Sequence, residues 1–505
     1  MSTTAMLKKE FESKNYDELL KDIYLDDNKI EYQRTRYINA LTKFEELFGE
    51  DDVEIYSAPG RSEISGNHTD HQNGEVLAAS INLDAIAVVK KNDVVRVVSD
   101  NYDMIPKEGK LIYRGYDIED IVKNCQKENR FGFEEVVWLL IFGSLPTKEQ
   151  LEMFRATLAA CRELPDDFIE DMIMKAPSPD IMNKMARSVL ALYSYDSNPD
   201  DISVKNMLSQ CIHLIAQLPA IMSYAYQVKR RTYYKKSMYI HQPKPEHSTA
   251  ETILRFTRDD RAFTDEEAKL LDLCLCIHAE HGGGNNSTFA TRVVSSSGTD
   301  TYSAISAAIG SLKGPRHGGA NIKAHAMIDE IYKNVKNHES DGEIYDYLKK
   351  IINKEAGDGS GLIYGMGHAI YTLSDPRAVL LRAKAEEFVK GTEYEERFRL
   401  INRIEALSPQ VFADVRGVKK PLCANVDMYS GLIYEMLKIP MDLFTPLFAV
   451  ARVAGWTAHR IEEMTTAGRI IRPAYKSVAL SREYVPIAER TETVGQGIYI
   501  PREQR

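Results

Sequence analysis

A mainly α-helical protein preceded by a short α+β segment is the fold class this sequence predicts. Three observations carry it. From Phe133 onward apolar residues recur at helical spacing with few β-branched runs; between Val53 and Ser99 the period shortens to that of strands; and a polar stretch holding Pro106 and Gly109 separates the two regimes.

Taken in order, Ile30, Tyr37, Ile38, Leu41, Phe44, Leu47 and Phe48 keep helical spacing, and Gly49 closes that helix. Val53, Ile55 and Ser57 alternate like a strand. APGRSEISGNHTDHQNGE then reads as a polar, glycine-rich loop, and VLAASINLDAIAVVKK and VVRVVS as two β-rich runs. A boundary falls near residue 103, giving an α+β segment over 1–103 and a helical remainder over 104–505. In the remainder Phe133, Val136, Val137, Leu140 and Ile141 form one helical face ended by Gly143 and Pro146. Amphipathic stretches follow near 148–162, 180–194, 205–228 and 266–281. The apolar run LFTPLFAVARVAGWTA is interrupted by Pro446 and Arg452, so it reads as a buried helix carrying one functional charge rather than a membrane span.

Composition narrows the function. The 505 residues are 44% hydrophobic and 27% charged, which suits a globular protein and excludes fibres and disorder. A net charge of -10 argues against a nucleic-acid partner, since VKRR and KKSM are the only short basic clusters. Cys125, Cys161, Cys211, Cys274, Cys276 and Cys423 show no metal-ligand spacing, so free thiols in a reducing compartment are expected, with no metal. The N-terminal stretch has no apolar signal region, which makes the cytoplasm the default.

The chemistry concentrates in GLIYGMGHAIYTLSDPR, residues 361–377. Gly365 and Gly367 flank Met366 just before His368, allowing a sharp turn and close approach to a ligand, Asp375-Pro376 ends the loop, and Arg377 opens the next helix. This string resembles the GxGHxxYxxxDPR signature of citrate synthases. Four further segments resemble that family in the same order: IHAEHGGGNNSTF around His281, GPRHGGAN around His317, CANVDMYSG around Asp427, and RVAGW with a later RIIRP. The resemblance runs from about residue 106 to the C-terminal end.

It implies a two-domain helical fold, with a smaller domain over about 317–432, in a homodimer that condenses acetyl-CoA with oxaloacetate and hydrolyses citryl-CoA. His317, His368 and Asp427 fall on the catalytic positions, and His281, Arg377, Arg452 and Arg472 on those that bind oxaloacetate. Gly365, Met366, Gly367 and Asn425 fall on the coenzyme A contacts. The residue types suit the chemistry. A thioester α-carbon is a weak acid, so a carboxylate base (Asp427) must act together with a donor on the thioester oxygen (His317). A dianionic keto acid calls for guanidinium forks, and His368 would polarise its keto carbonyl. Coenzyme A enters as a thioester substrate, and no permanently bound cofactor is implied.

Taken singly, the residues admit plainer roles: Arg452 in a structural ion pair, His281 as a satisfied helix-end histidine, Asp427 as a helix cap. His241, His278, His325 and His459 match no motif position and read as structural. Thr372 stands where some family members carry a basic residue toward coenzyme A, which leaves Arg382 and Lys384 as candidates for that charge.

Residues from about 28 to 100 resemble a second family. SAPGRSEISGNHTDHQNGEVLAASINLD is similar to the galactose-binding signature at the start of galactokinases, and places Arg61 beside a transferred phosphoryl group and Asn67, His68 and Asp70 at sugar contacts. Asn67 stands where many members have Glu. Phosphoryl transfer also needs a glycine-rich phosphate cradle and a base, and neither follows, so the segment reads as a truncated α+β cap without kinase activity. Three rivals remain: a 2-methylcitrate synthase using propionyl-CoA, a sugar kinase, and a non-catalytic sugar-binding scaffold. Galactose titration discriminates the last.

Overall fold

The computed structural model describes residues 2–65, 77–91, 109–368, 371, 373–417, 421–466, 469–472 and 486–489, with the side chains of 2, 59–65 and 77–83 left aside. The chain divides into two units, Met1–Asn101 with Arg472–Arg505, and Tyr102–Ile471.

The first unit is α+β. It runs β1 (Ser2–Thr3), α1 (Thr4–Glu12), α2 (Asp17–Tyr24), α3 (Ile30–Phe48), β2 (Asp52–Ser65) and β3 (Leu77–Val89), in an antiparallel sheet ordered β1-β2-β3. The periodicity of Ile30–Phe48 does form one helix, ended by Gly49 at φ 78°. The loop expected from Ala58 begins later: Pro59, Arg61 to Glu63 and Ser65 stay paired with β3, and the register shifts at Pro59/Arg61 and Glu63/Ser65. Bulges let a strand carry a proline and polar residues without losing its partner, which the alternation pattern alone does not reveal. Phe11, Leu20, Tyr24, Tyr37, Leu41, Phe44 and Val53 make the core. Asp84 pins α2 and α3 to the sheet, accepting from Tyr24 (2.7 Å), Ser57 (2.6 Å) and Arg36 (2.9 Å). Asn67, His68 and Asp70 lie outside the described residues, as does the side chain of Arg61.

The second unit is helical apart from the short pair β4 (Ile112–Tyr113) and β5 (Tyr116–Asp117). It continues as α4 (Ile118–Lys127), α5 (Phe133–Phe142), α6 (Lys148–Ala160), a π-helical turn at Ile169–Met174, α7 (Ile181–Leu192), α8 (Val204–Thr232) and α9 (Thr249–Thr257). Next come α10 (Asp265–His278), α11 (Asn286–Ser295), α12 (Thr301–Leu312), α13 (Ala320–Asn334) and α14 (Asp341–Ile352). The last four are α15 (Pro376–Val389), α16 (Glu395–Arg416), α17 (Asp427–Met436) and α18 (Phe444–Thr466). Thr147, Ser248 and Thr264 start α6, α9 and α10 with reciprocal capping boxes, each satisfying two otherwise orphaned N–H groups. Every residue from Leu214 to Val228 is buried, so α8 is a central core helix, and α7, α9 and α18 pack against it in one apolar cluster. No described helix is long and apolar enough to cross a membrane.

Candidate active site

The site is built where three elements end or begin: the C-terminus of α10, the loop before α15, and the start of α17. At the end of α10 the Tyr113 hydroxyl sits 3.1 Å from the carbonyl oxygens of both Cys276 and Glu280, occupying the acceptors a helix C-terminus leaves open. Three residues past that end, His281 is held through its N–H, which donates to Glu280 Oε1 at 2.8 Å.

The loop carrying His368 is joined to the segment carrying Asp427 by an isolated antiparallel bridge between Met366 and Ala424. Gly367 N–H donates to the Cys423 carbonyl and Asn425 N–H to the Gly365 carbonyl, both at 2.8 Å, and Asn425 Nδ2 reaches the Gly367 carbonyl at 2.9 Å. Gly365 is required: its φ is +84°, and a Cβ there would come within 3.0 Å of Met428 Cα. Of the expected coenzyme A contacts, Gly365, Met366, Gly367 and Asn425 therefore form one backbone-paired unit that fixes His368 and Asp427 relative to each other.

Asp375 caps α15 and grips Arg377, with Oδ1 accepting from its backbone N–H and Nε at 3.0 Å and Oδ2 from Nη2 at 2.8 Å. The guanidinium is buried; that opposes its charge, but Asp375 more than offsets burial and raises its pKa. His368 Nδ1 accepts from Tyr371 N–H at 3.1 Å, which puts the ring hydrogen of the neutral imidazole on Nε2. That Nε2 lies 3.3 Å from Arg377 Nη2. Two donors facing each other at that distance prepare a place for an oxygen that accepts from both.

Arg452 has no solvent exposure in the middle of α18. Its Nε donates to the His278 carbonyl at 2.6 Å and its fork lies 4.6 Å from the Phe448 ring centroid, yet Nη1 and Nη2 have no partner. Burial lowers its pKa to about 10, with Glu280 acting to raise it. No carboxylate pairs with it among the described residues, which removes the structural ion-pair reading. The glycine of RVAGW now has a reason. A Cβ on Gly455 would overlap Glu280 Oε2 and lie 2.6 Å from the Ala279 carbonyl oxygen, so only glycine lets α18 cross the end of α10 closely enough to deliver Arg452. Gly455→Ala is expected to destabilise the fold by about 1–3 kcal/mol, as overpacking does, and to raise the Michaelis constant of the anionic substrate more than it lowers turnover. Thermal melts beside steady-state kinetics check this; unchanged melting and kinetics would show that the crossing is not tight.

Burial first, then the fields of Arg377 and Arg452, push His281 down to about 3, and burial with Arg452 pushes His317 down to about 4. His368 is lowered by burial and Arg377. All three rings are neutral at pH 7. The His281 ring lies 5.2 Å from that of His368, and its Nε2 is buried without a partner, so it is not a satisfied core histidine. Asp427 is the first residue of α17 and makes no capping bond, which removes the cap reading. Burial raises its carboxyl to about 6, against the lowering field of Arg377.

Some groups were not identified from sequence. Ser287 Oγ accepts from Trp456 Nε1 at 3.2 Å and lies 3.0 Å from His317 Nε2, so it orients that ring. Both residues stand inside the quoted motifs NNSTF and RVAGW, but nothing in the sequence pairs them. His278, read as structural, is buried with both ring nitrogens unpartnered and pushed well down by burial, Arg377 and Arg452, so it belongs to the same site. His241 and His325 lie elsewhere, and His459 pairs with Glu280 at 3.2 Å. Arg382 and Lys384 meet Glu405 (3.4 Å) and Glu387 (2.6 Å). Lys323, 3.0 Å from Tyr364 Oη beside the glycine loop, is a cation that no motif singled out. Thr372 lies outside the described residues. Arg472 is exposed and falls in the first unit, so the helical unit does not gather it with Arg377 and Arg452.

Comparison with known proteins agrees with this geometry. Residues 92–474 match the family described as Citrate synthase, C-terminal domain, and residues 42–91 the Galactokinase galactose-binding signature. A 2-methylcitrate synthase of Corynebacterium glutamicum is 34% identical over 79% of this chain and 97% of its own length. A citrate synthase of Synechocystis is 33% identical over 77% and 90%. Among solved structures, the citrate synthase of Thermoplasma acidophilum in ternary complex with carboxymethyl coenzyme A and oxaloacetate superposes with a TM-score of 0.63 at 28% identity, covering 77% of this chain and 98% of that one. The citrate synthase of Thermotoga maritima gives 0.61 at 29%, covering 79% and 98%.

Proposed function

The chain belongs to the citrate synthase family, and we propose that its helical unit condenses acetyl-CoA with oxaloacetate, with Asp427, His317 and His368 as the reacting groups. The observation that carries this reading is the pair of buried guanidinium groups with donors to spare: Arg452 keeps Nη1 and Nη2 unpartnered, and Arg377 Nη2 faces His368 Nε2 at 3.3 Å. A planar dianion such as oxaloacetate satisfies both, one carboxylate on each fork, with its keto oxygen on His368.

Asp427 takes a proton from the thioester α-carbon. A carboxyl raised to about 6 is still ionised at pH 7 and is a stronger base than an ordinary carboxylate. Ser287 Oγ, which accepts from Trp456 Nε1 and donates to Asn285 Oδ1 at 2.9 Å, lies 3.0 Å from His317 Nε2 and holds that ring in place. A ring N–H of His317 donates to the thioester oxygen as negative charge develops there, and a neutral imidazole suits the task because it keeps its proton in the enol or enolate complex. The enolic carbon attacks the keto carbon, and the new alkoxide is stabilised by His368 Nε2–H and Arg377. Water then cleaves the thioester of citryl-CoA to give citrate and coenzyme A.

Closure of residues 317–432 over the rest of the unit would exclude water during enolisation and admit it for hydrolysis. Exposed Leu190 on α7 and Phe289 on α11 support a second copy covering that face as a homodimer. Six free cysteines support a reducing compartment such as the cytoplasm.

Release of coenzyme A thiol by the full chain tests the reading, with acetyl-CoA and propionyl-CoA compared and light scattering on the same sample giving the oligomer. Oxaloacetate-dependent release, faster with acetyl-CoA, is the expected result. The 34% identity to a 2-methylcitrate synthase favours a second reading in which propionyl-CoA is faster; one methyl group in an apolar pocket is worth only about 1–3 kcal/mol. No release with either thioester sinks both.

A further inference from the structure

The two basic clusters of this acidic chain, Lys229-Arg230-Arg231 and Lys235-Lys236, play no part in the condensation. In the fold they meet at the C-terminal end of α8, where the chain doubles back: Lys236 N–H donates to the Arg230 carbonyl at 3.0 Å, and Lys235 adopts φ 56°. A left-handed backbone is the setting of glycine or asparagine, so a lysine there is held against its own preference. The turn carries Lys235 and Met238 back beside α8, and a cavity of about 360 Å³ opens between them, lined by Met174, Val228, Arg231, Thr232, Lys235 and Met238. Met174 is the last residue of the π-helical turn, a geometry that recurs at functional sites.

The charges divide into those paired with a carboxylate and those that are not. Lys229 pairs with Asp442 at 2.7 Å, and Arg230 takes both oxygens of Asp259. Those acids are thereby occupied. Arg231 and Lys235 are exposed and meet no carboxylate within ion-pair distance among the described residues; Lys235 Nζ rests on the Thr232 carbonyl at 2.8 Å. Cations near a helix C-terminus offset its dipole, as Lys229, Arg230 and Arg231 in the last turn of α8 and Lys235 on the Thr232 carbonyl all do. That role leaves Arg231 and Lys235 without an anion, and both line the cavity together with Thr232, Met174, Val228 and Met238.

We propose that this cavity binds a phosphate monoester with an apolar body, outside the condensation site. A guanidinium fork spans two phosphate oxygens and the ammonium takes the third, so one tetrahedral dianion neutralises Arg231 and Lys235 together, which a single carboxylate does not. Met174 and Met238 are adaptable, polarisable surfaces for a flat or irregular apolar group, and the volume suits a small ligand.

Phenyl phosphate is the probe. Calorimetric titration of the full chain, with oxaloacetate saturating so that Arg377 and Arg452 are occupied, is expected to show one saturable site per chain. The double variant Arg231→Ala, Lys235→Ala should weaken it at least tenfold without changing the condensation rate. Lys235→Gly relieves the backbone and is expected to melt higher yet bind more weakly, which separates lost binding from lost folding. Inorganic phosphate, lacking the apolar body, should bind more weakly than phenyl phosphate. Absent saturation, equal affinity in the double variant, or equal affinity for the two phosphates would overturn the assignment.

Discussion

Asp427→Asn is expected to lower turnover by about 10²- to 10⁴-fold, the range over which a positioned general base contributes, while the Michaelis constant for oxaloacetate changes little. Asparagine keeps the shape and the start of α17 but has no basic oxygen for the α-proton. The variant should also melt no lower than the parent. Its carboxyl is raised to about 6 in the fold, above the usual carboxylate value, so the ionised form is the disfavoured one. Stability from this group is therefore present at low pH, falls as pH rises through the window between the ordinary value and about 6, and is absent at neutral pH. Replacing the ionised group with a neutral one removes that cost.

The same shift sets a pH signature. In the free enzyme kcat/KM should fall as pH drops through about 6, because protonated Asp427 is no base. Bound oxaloacetate adds negative charge nearby, which raises the carboxyl further, so the acid limb of kcat should lie at higher pH than that of kcat/KM. A variant that loses less than tenfold in turnover, or an acid limb at the ordinary carboxylate value, would assign the proton transfer to another group.

How much of this site the sequence made legible depends on the length scale of each feature. Residue types and short spacings were legible: the His368 loop, the helix that begins where it ends and the glycines all act within a few positions, and Gly49 ended α3 as its pattern required. Strand alternation failed at Pro59 because bulges shift register without changing composition. Contacts across the chain were not legible. Ser287 joins Trp456 over 169 positions and His317 over 30, and Gly455 is explained only by Glu280 and Ala279 on another helix. His278 was misread because one apolar-helix histidine looks like any other until Arg377 and Arg452 are placed near it.

Arg452→Met is expected to raise the Michaelis constant for oxaloacetate by about 2–4 kcal/mol equivalent, roughly 30- to 1,000-fold, and at the same time to leave the unliganded protein as stable as before or more so. The two effects have one cause. The guanidinium is fully buried, Nη1 and Nη2 have no partner, and its single strong bond runs from Nε to the His278 carbonyl. Taking a charge of this kind out of water costs several kcal/mol, whereas the one hydrogen bond to be lost is worth about 1–3 and the contact with Phe448 up to about 2. Desolvation is thus only partly offset until a carboxylate arrives. Methionine fills much of the same volume in α18 without that cost. Oxaloacetate should therefore raise the melting temperature of the parent protein strongly and that of the variant hardly at all. Differential scanning calorimetry with and without oxaloacetate reads both halves: a variant that melts several degrees lower without ligand would mean that Arg452 is structural, and an undiminished ligand shift would mean that the keto acid binds elsewhere.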